Sequence, residues 1–261
     1  MSLQRTIVFV LILLAATTAS AAPWVITSGD AGTGVLSTYP NALAARNSFI
    51  AVVGSGNLVT FESLSPQPAG TNFTATNFDI NLGGGVIFNV NYSNADMTQS
   101  GGRLDDYPEF GFNTTASGTR HIRLAQVPLS TAAAAQVAFS FGSTTTNFFG
   151  AYITGSQSTL PGVIEITFDN GTTQLFEFTK LPGNTGGIQF WGVLADTGSF
   201  SSIRFTLSGA QDGARDIIGF DDVIFGQAST ATHSPEPGTV LAVAAGMGLI
   251  ALARRKFQKA R

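Results

Sequence analysis

Short runs of alternating apolar and polar residues, separated by turn-forming residues, recur along most of this chain. The clearest run covers 163–168, where Glu165 and Thr167 alternate with aliphatic and aromatic side chains. Asp169-Asn170-Gly171 follows, before a second alternating run. Asn-Gly between two such runs is the strongest local signal for a β-hairpin. A period of two indicates strands with one face buried and one face in water.

Ten runs of this kind predict ten short strands between residues 58 and 227, the predicted sandwich domain. They cover 59–64, 86–92, 121–126, 135–141, 148–154, 163–168, 172–178, 188–194, 201–207 and 217–225. Many short strands joined by turns are typical of an all-β fold with two packed sheets, a jelly-roll-like β-sandwich. The 21 Phe residues supply its core, and the lack of Cys excludes disulfides, thiolate metal sites and a Cys nucleophile.

The segment 23–57 is less regular than the rest and contains the single helix predicted between the two chain ends. Pro40 begins a stretch rich in helix formers, and apolar residues at 49, 50, 52 and 53 give it an apolar side. We therefore predict one short helix near 40–53.

The first 22 residues have the layout of a secretory signal peptide, which forms a helix. Arg5 supplies the positive start, residues 7–16 form an apolar run, and Ala19-Ser20-Ala21 gives the small-residue cleavage pattern. We expect cleavage after Ala21 or Ala22. The apolar run is short for a membrane span of ~20 residues, so the pattern predicts an exported protein.

A second three-part pattern fills the last 27 residues, 235–261, after a linker at 228–234. Pro235-Glu236-Pro237 comes first, and an apolar stretch then predicts a transmembrane helix at 238–253. A basic tail at 254–261 follows and starts with Arg254-Arg255-Lys256. Basic residues favour the cytoplasmic side of a membrane, so the carboxyl end is predicted to lie inside the cell.

This tail is similar to the PEP-CTERM sorting signal of Gram-negative bacteria. The similarity lies in the order and spacing of Pro235-Glu236-Pro237, the small-residue helix and Arg254-Arg255. It implies transient anchoring in the inner membrane, recognition by an exosortase and cleavage near the motif. It further implies delivery to the cell surface or to the exopolysaccharide matrix, with exopolysaccharide or another surface glycan as a partner.

Charge is distributed unevenly between the predicted exported domain and its ends. Residues 23–234 contain seven basic and 15 acidic residues, a net charge of −8. Nucleic-acid binding requires clustered Lys and Arg, so a nucleic-acid partner is excluded. Carboxylate oxygens are ligands that hard divalent cations prefer, so a cation partner fits the composition.

The predicted domain also resembles jelly-roll sandwiches of the carbohydrate-binding-module kind. The resemblance rests on Thr60-Phe61-Glu62-Ser63 and on the segment GFDDVIF at 219–225. It implies that these two segments pair near the ends of the domain and share a structural calcium, with Glu62, Asp221 and Asp222 as metal ligands. The alternative is that the three acids are solvated carboxylates at strand ends.

The residues of the last strand bear on the choice between a bound cation and free carboxylates. Strict alternation places Asp222 on the face of Phe220 and Asp221 on the face of Val223. Both faces are then partly apolar, and an unpaired charge is costly in such surroundings. A second acidic group, Asp105-Asp106-Tyr107-Pro108-Glu109, is a weaker cation candidate, because loops commonly collect such residues.

Aromatic side chains offer a different kind of site. Trp191, Tyr152 and Tyr107, with Phe148 and Phe149, are candidates for stacking on sugar rings, because aromatic faces provide large contact areas of fixed geometry. Trp191 lies inside a predicted strand, however, and a role in the core is favoured for it.

Catalytic chemistry has little support in the sequence. Glu165 and Glu177 flank the predicted hairpin and form the only carboxylate pair considered for glycoside hydrolysis, but their alternation fits a solvent-facing surface equally well. His121 is the one His within the predicted sandwich, and no G-x-S-x-G motif occurs. We predict that the protein is not an enzyme.

The sequence therefore predicts an exported cell-surface or matrix protein with a structural or adhesive role in exopolysaccharide. The alternative is a specific carbohydrate-binding module, and a glycan-active enzyme is the third reading. An exposed row of aromatic side chains would favour the alternative, because sugar-stacking sites use such rings.

Overall fold

A computed structural model describes most of the predicted domain. The described residues are 22–32, 36–64, 77–81, 83, 86–93, 101–105, 118, 120–125, 135–155, 162–177, 181–182, 187–207 and 217–228. The chain divides into two compact units, Met1–Ser229 and Thr230–Arg261. Apart from Ala22, both terminal signals lie outside the described residues. Within the described part, no helix has the length and apolar character that a membrane crossing needs.

One helix and thirteen strands make up the described part of the fold. The helix is α1 (Pro40–Val53), and the strands are β1 (Trp24–Ala31), β2 (Asn57–Val59), β3 (Asn77–Asn81), β4 (Ile87–Ser93), β5 (Gly101–Asp105), β6 (His121–Ala125), β7 (Ala135–Ser140), β8 (Phe148–Thr154), β9 (Gly162–Phe168), β10 (Thr173–Glu177), β11 (Gly187–Leu194), β12 (Phe200–Leu207) and β13 (Ile217–Gly226).

These strands form two antiparallel sheets. Sheet A has the order β1-β11-β8-β13-β6-β5, with β2 also paired to β13, and sheet B has the order β10-β9-β12-β7-β4-β3. Aromatic rings from both sheets meet between them. The ring of Phe88 in sheet B stacks at 4.7 Å on Phe225 of sheet A, and Phe139 lies 5.3 Å from Phe149. The predicted two-sheet sandwich is therefore confirmed.

The helix and nine of the ten predicted strands are present, the tenth overlaps β2 only at Val59, and three strands were missed. These are β1, β3 and β5. The latter two are five residues long and rich in Asn, Asp and Gly, which are weak strand formers. Residues 60–64, predicted as strand, instead form a turn after β2. Because β1 pairs along its whole length with β11, the sandwich begins at Trp24 and not at 58.

Helix α1 covers the outer face of sheet A and forms a second core there. Its buried residues are Ala42, Ala45, Phe49 and Val53, and their spacing of three to four positions places them on one side of the helix. The ring of Phe49 sits directly over the sheet. A Cβ atom added at Gly192 would lie 2.8 Å from that ring, so only glycine permits this close approach.

Strand β1 supplies the cap of α1 from outside the helix. Tyr39 precedes the first turn and makes no side-chain cap. Asp30 of β1 takes this role. Its Oδ1 accepts hydrogen bonds from the backbone and side-chain nitrogens of Asn41 at 3.2 and 2.8 Å, and its Oδ2 accepts one from the backbone nitrogen of Ala42 at 2.9 Å. A carboxylate is favourable at a helix N-terminus, so β1 and α1 hold each other in place.

Candidate functional site: the bulge of strand β13

A β-bulge interrupts β13 at the two aspartates. Asp221 pairs with Tyr152 of β8, whereas the next pair joins Ile224 to Gly150, so β13 has one more residue than its partner. Asp222 has a positive φ of 46°, a conformation that Asp and Asn tolerate better than other side chains. Its backbone N–H donates to Oδ1 of Asp221 at 2.7 Å.

Because of the bulge, residues of β13 lie on different faces of the sheet from those that strict alternation predicted. Phe220, Val223 and Phe225 all belong to the core between the sheets, whereas Ile224 packs with α1. Strict alternation had placed Phe220 opposite to Val223. The extra residue at the bulge reverses the alternation, and the assignment beyond Asp221 was therefore wrong.

The bulge lies where two short partners of β13 meet. On one side of it Phe220 pairs with Ile122 of β6, and on the other Val223 pairs with Val59 of β2. The resemblance implied that 60–63 pair with the last strand, but the residues that pair are 57–59, and 60–63 lie in the turn that follows them. Glu62 follows β2 in the chain and Arg120 immediately precedes β6.

Glu62 is held by Arg120. Its Oε1 accepts a hydrogen bond of 2.6 Å from the backbone nitrogen of Arg120. The Arg120 guanidinium in turn donates through Nη1 to the backbone oxygen of Glu62 at 2.6 Å and to that of Leu64. A protein cation therefore already binds oxygens of the turn at 60–64. Arg120 was not identified from the sequence, because nothing nearby in the chain marks it as a partner of Glu62.

Two buried aspartates, the buried Tyr152 and the half-buried Arg46 form a polar group that we call the aspartate cluster: Asp221, Asp222, Tyr152 and Arg46. Asp221 is fully buried and Asp222 is 7% exposed. Burial of the phenol raises the pKa of Tyr152 well above its usual value; the Arg46 guanidinium opposes this shift, while Tyr39 and both aspartates reinforce it. The cluster therefore lies between sheet A and α1, where charge is weakly screened.

Two polar atoms of this cluster are buried without a hydrogen-bond partner, Oδ1 of Asp222 and Nε of Arg46. Buried polar groups are nearly always paired, and an unpaired carboxylate oxygen is a suitable donor to a cation. Yet in the described part of the chain, no three His, Cys, Asp or Glu side chains are grouped to hold a metal ion. Oδ1 of Asp222 is therefore a buried carboxylate oxygen without a hydrogen-bond partner, whereas Oε1 of Glu62 already accepts a hydrogen bond from Arg120.

The aromatic residues proposed for sugar stacking lie in the two cores. Trp191 and Tyr152 are each 2% exposed, and Phe148 and Phe149 are fully buried. The stacking interpretation is therefore wrong for these four side chains, because burial leaves no ring face for a ligand. In the described regions, the exposed large apolar side chains are all aliphatic: Leu43, Val52, Leu58, Ile87 and Leu175. Tyr107 and the rest of 106–109 lie outside the described residues, while Asp105 ends β5.

The carboxylates considered for catalysis face solvent on sheet B. Glu165 accepts a hydrogen bond from Nη1 of Arg204 at 2.9 Å, and both side chains are partly exposed. Glu177 is exposed on the neighbouring strand β10. His121 is buried in β6, next to the pair Ile122–Phe220. These positions fit a solvent-facing surface for the glutamates and a strand residue for His121.

A small polar pocket lies at one end of the sandwich, away from the bulge. Its volume is about 70 Å³. It is lined by Pro23, Phe168, Asn170, Thr172, Gln174, Ala195, Asp196 and Thr197. The start of β1, the β9–β10 hairpin and the segment after β11 contribute these residues. They are too far apart in the sequence for any local pattern to group them.

Comparisons with known proteins give only distant similarities. No protein-family model and no curated protein matches this chain. A carbohydrate-binding module solved with β-1,4-galactotriose is 9% identical, with a TM-score of 0.37 over 53% of this chain and 88% of that chain. The family 11 carbohydrate-binding module of a Clostridium thermocellum cellulosomal cellulase is 7% identical, with a TM-score of 0.34 over 69% and 100%. The enzymatically active domain of bacteriophage CBA120 tailspike protein 4 is 14% identical, with a TM-score of 0.35 over 54% and 19%. Similarity this low carries no inference about a ligand or a reaction.

Proposed function

We propose that the protein is an exported, non-catalytic protein of the cell surface or matrix, with a structural or adhesive role in exopolysaccharide. In this proposal an exosortase sorts it through its C-terminal tail. The observation that carries the proposal is the ordered tail, Pro235-Glu236-Pro237, an apolar stretch and Arg254-Arg255, in a chain that opens with a signal-peptide pattern.

The outer surface of sheet B could contact a glycan matrix through many separate hydrogen-bonding side chains. The register aligns Thr173, Thr167, Ser202, Ser140 and Asn89 in one row across five strands. Neighbouring strands are about 4.8 Å apart, so the row presents a hydroxyl or amide group at each such step. Many weak hydrogen bonds along a sheet favour adhesion to a hydroxylated polymer. A specific module would use exposed aromatic rings, and the described exposed side chains include none.

The experiment that tests the proposal follows the tail in the native host. Intact masses of the protein from membrane and medium should show a mature form that lacks both ends and terminates near Pro235. Combining Pro235→Ala with Glu236→Ala should abolish this product and leave the tail attached in the membrane fraction. The matched control, Thr232→Ala with Ser234→Ala, changes two neighbouring residues outside the motif and should be processed normally.

If the motif variant were processed like the wild-type protein, the proposal that the tail is a sorting signal would be wrong. A strain that lacks its exosortase gives a second reading, since wild-type protein should then keep its tail. Processing that continues in that strain would equally contradict an exosortase.

We also propose a structural calcium bound through Asp222, with Asp221 beside it. Saturating a native-state site at 100 times its Kd stabilises a protein by ~2.7 kcal/mol. For a domain of this size, that corresponds to a rise in Tm of roughly 5–10 °C. Thermal unfolding of chelator-treated protein with and without added calcium should show this rise.

Two variants distinguish the contribution of Asp222 to calcium binding from that of Glu62. Asp222→Asn keeps a side chain that tolerates the positive φ but removes the buried charge, and should lose most of the calcium-dependent rise in Tm. Glu62→Gln is the control and should keep that rise, because Glu62 is held by Arg120. Equal Tm values with and without calcium in the wild-type protein would rule the ion out.

A further inference from the structure

The polar pocket lies where the mature chain would begin. Pro23 lines it, only one or two positions from the expected cleavage after Ala21 or Ala22. Asp196 lines the same pocket and is the one charged residue among its lining side chains. The remaining polar lining residues are neutral amides and hydroxyls. The pocket thus places a carboxylate beside the expected start of the processed chain, although Pro23 and Asp196 are far apart in the sequence.

The pairing of β1 with β11 fixes this geometry. Trp24 is the first paired residue of β1 and lies opposite Leu194 in an antiparallel ladder. If that register continued, Pro23 would lie opposite Ala195 and Ala22 opposite Asp196. The ring of Trp24 stacks on Phe49 at 5.9 Å with an interplanar angle of 9°. The start of β1 is therefore held in place directly beside Ala22.

Signal removal changes the charge at this point. Before cleavage, the nitrogen of Ala22 belongs to a neutral peptide bond. After cleavage it is an α-ammonium group with an ordinary pKa of about 7.7–8.0, so it is mostly charged at neutral pH. An ammonium group offers only donors, and carboxylate, amide and hydroxyl oxygens are its acceptors.

The hairpin side of the pocket is already ordered by its own hydrogen bonds. Oδ1 of Asn170 accepts from the backbone nitrogen of Thr172 at 2.9 Å and from its hydroxyl at 2.7 Å. Asn170 is therefore committed to the turn. Among the residues that line the pocket, Asp196 has the side chain whose charge matches an ammonium.

We propose that this pocket binds the α-ammonium group of the mature protein's own N-terminus, with Asp196 as its counter-ion. The proposal rests on the export part of the proposed function, because signal removal creates the ligand. Processing then adds an ion pair at the free edge of sheet A that the precursor lacks. Removal of the signal would then strengthen the attachment of β1 to sheet A.

The pH dependence of this contact has a definite sign. An ammonium that gains a carboxylate partner has a raised pKa in the folded protein. Its contribution to stability is fully present below the unfolded value near pH 8 and disappears as the pH rises through the folded value. Asp196 is the only titratable group that lines the pocket.

The test compares two starts of the same chain, residues 22–261 purified in mild detergent. One protein begins with the free amine of Ala22, and the other carries a two-residue Gly-Ser extension. Asp196→Asn is introduced into each, and Tm is measured at pH 6.5. The variant should lower Tm by roughly 1–4 °C more in the free-amine protein than in the extended protein, as for one exposed ion pair in a domain of this size.

Three further measurements sharpen this result. The difference between the two starts should vanish at pH 10. Asp169→Asn removes an exposed carboxylate outside the pocket lining and should lower Tm equally in both starts or not at all. A chain that begins at Pro23 should behave like the one that begins at Ala22.

An equal loss of Tm on Asp196→Asn in both starts would overturn the proposal, because Asp196 would then act without the ammonium. No loss in either start would overturn it as well. The designed starts bypass the signal peptidase, so these outcomes are independent of whether export occurs. The N-terminal mass of protein from the native host tests export separately.

Discussion

Replacing Phe49 by Ala is expected to lower the free energy of unfolding by about 3–5 kcal/mol, the usual cost of removing a buried aromatic ring. Phe49 is fully buried. Its ring lies 5.9 Å from that of Trp24, 6.0 Å from Phe148 and 5.5 Å from Phe190. The cavity cannot collapse easily, because Gly192 beneath the ring has no side chain to fill it. Urea unfolding followed by circular dichroism measures the loss.

Leu43→Ala is the matched control on the same helix. Leu43 is 44% exposed, and Ala and Leu have similar helix propensities. Its effect should stay within about 0.5 kcal/mol, as is usual for surface substitutions. If Phe49→Ala were as mild as this control, α1 would not be packed on sheet A in the way described.

Trp191→Ala is expected to lower the free energy of unfolding by a similar amount, about 3–5 kcal/mol, because it leaves a cavity in the core between the sheets. Trp191 is 2% exposed, and its ring lies 5.9 Å from Phe205, 6.2 Å from Phe176 and 6.4 Å from Phe149. Chemical unfolding followed by far-ultraviolet circular dichroism is the suitable measurement, since the substitution removes one of only two Trp fluorophores in the chain.

Leu175→Ala provides the surface comparison, because Leu175 is 66% exposed on β10. It should change stability by less than about 0.5 kcal/mol. A Trp191→Ala protein that kept its stability but no longer bound exopolysaccharide would restore the sugar-stacking role and contradict the buried position.

Residue periodicity predicted the parts of the fold where one strand face is buried and the other is wet. Strand β9 and its hairpin partner β10 are examples, because apolar and polar side chains alternate there without interruption. Helix α1 was predictable because Pro40 marks its start and good helix formers follow. By contrast, β1 carries a helix on one face and the sheet core on the other. Its residues therefore show no simple alternation.

The candidate site could be predicted only in part. Asp221 and Asp222 are adjacent in the sequence, but the strand that pairs with β13 beside them is 57–59, and Glu62 lies in the turn that follows it. The bulge at Asp222 arises because β13 has one more residue than the facing stretch of β8, and the sequence of β13 alone does not show this. The partners Arg120 and Arg46 approach from elements far away in the chain, so their roles appear only once the sheets and α1 are assembled.

The aromatic core described above also bears on chemical durability outside the cell. Neither of the two buried clusters contains a sulfur-bearing side chain, and the chain has three Met and no Cys. Cys and Met are the residues that common oxidants attack first. Among the residues that the structure describes, the two clusters therefore offer such oxidants no Cys or Met side chain. Because the chain has no Cys, its folding does not depend on disulfide formation.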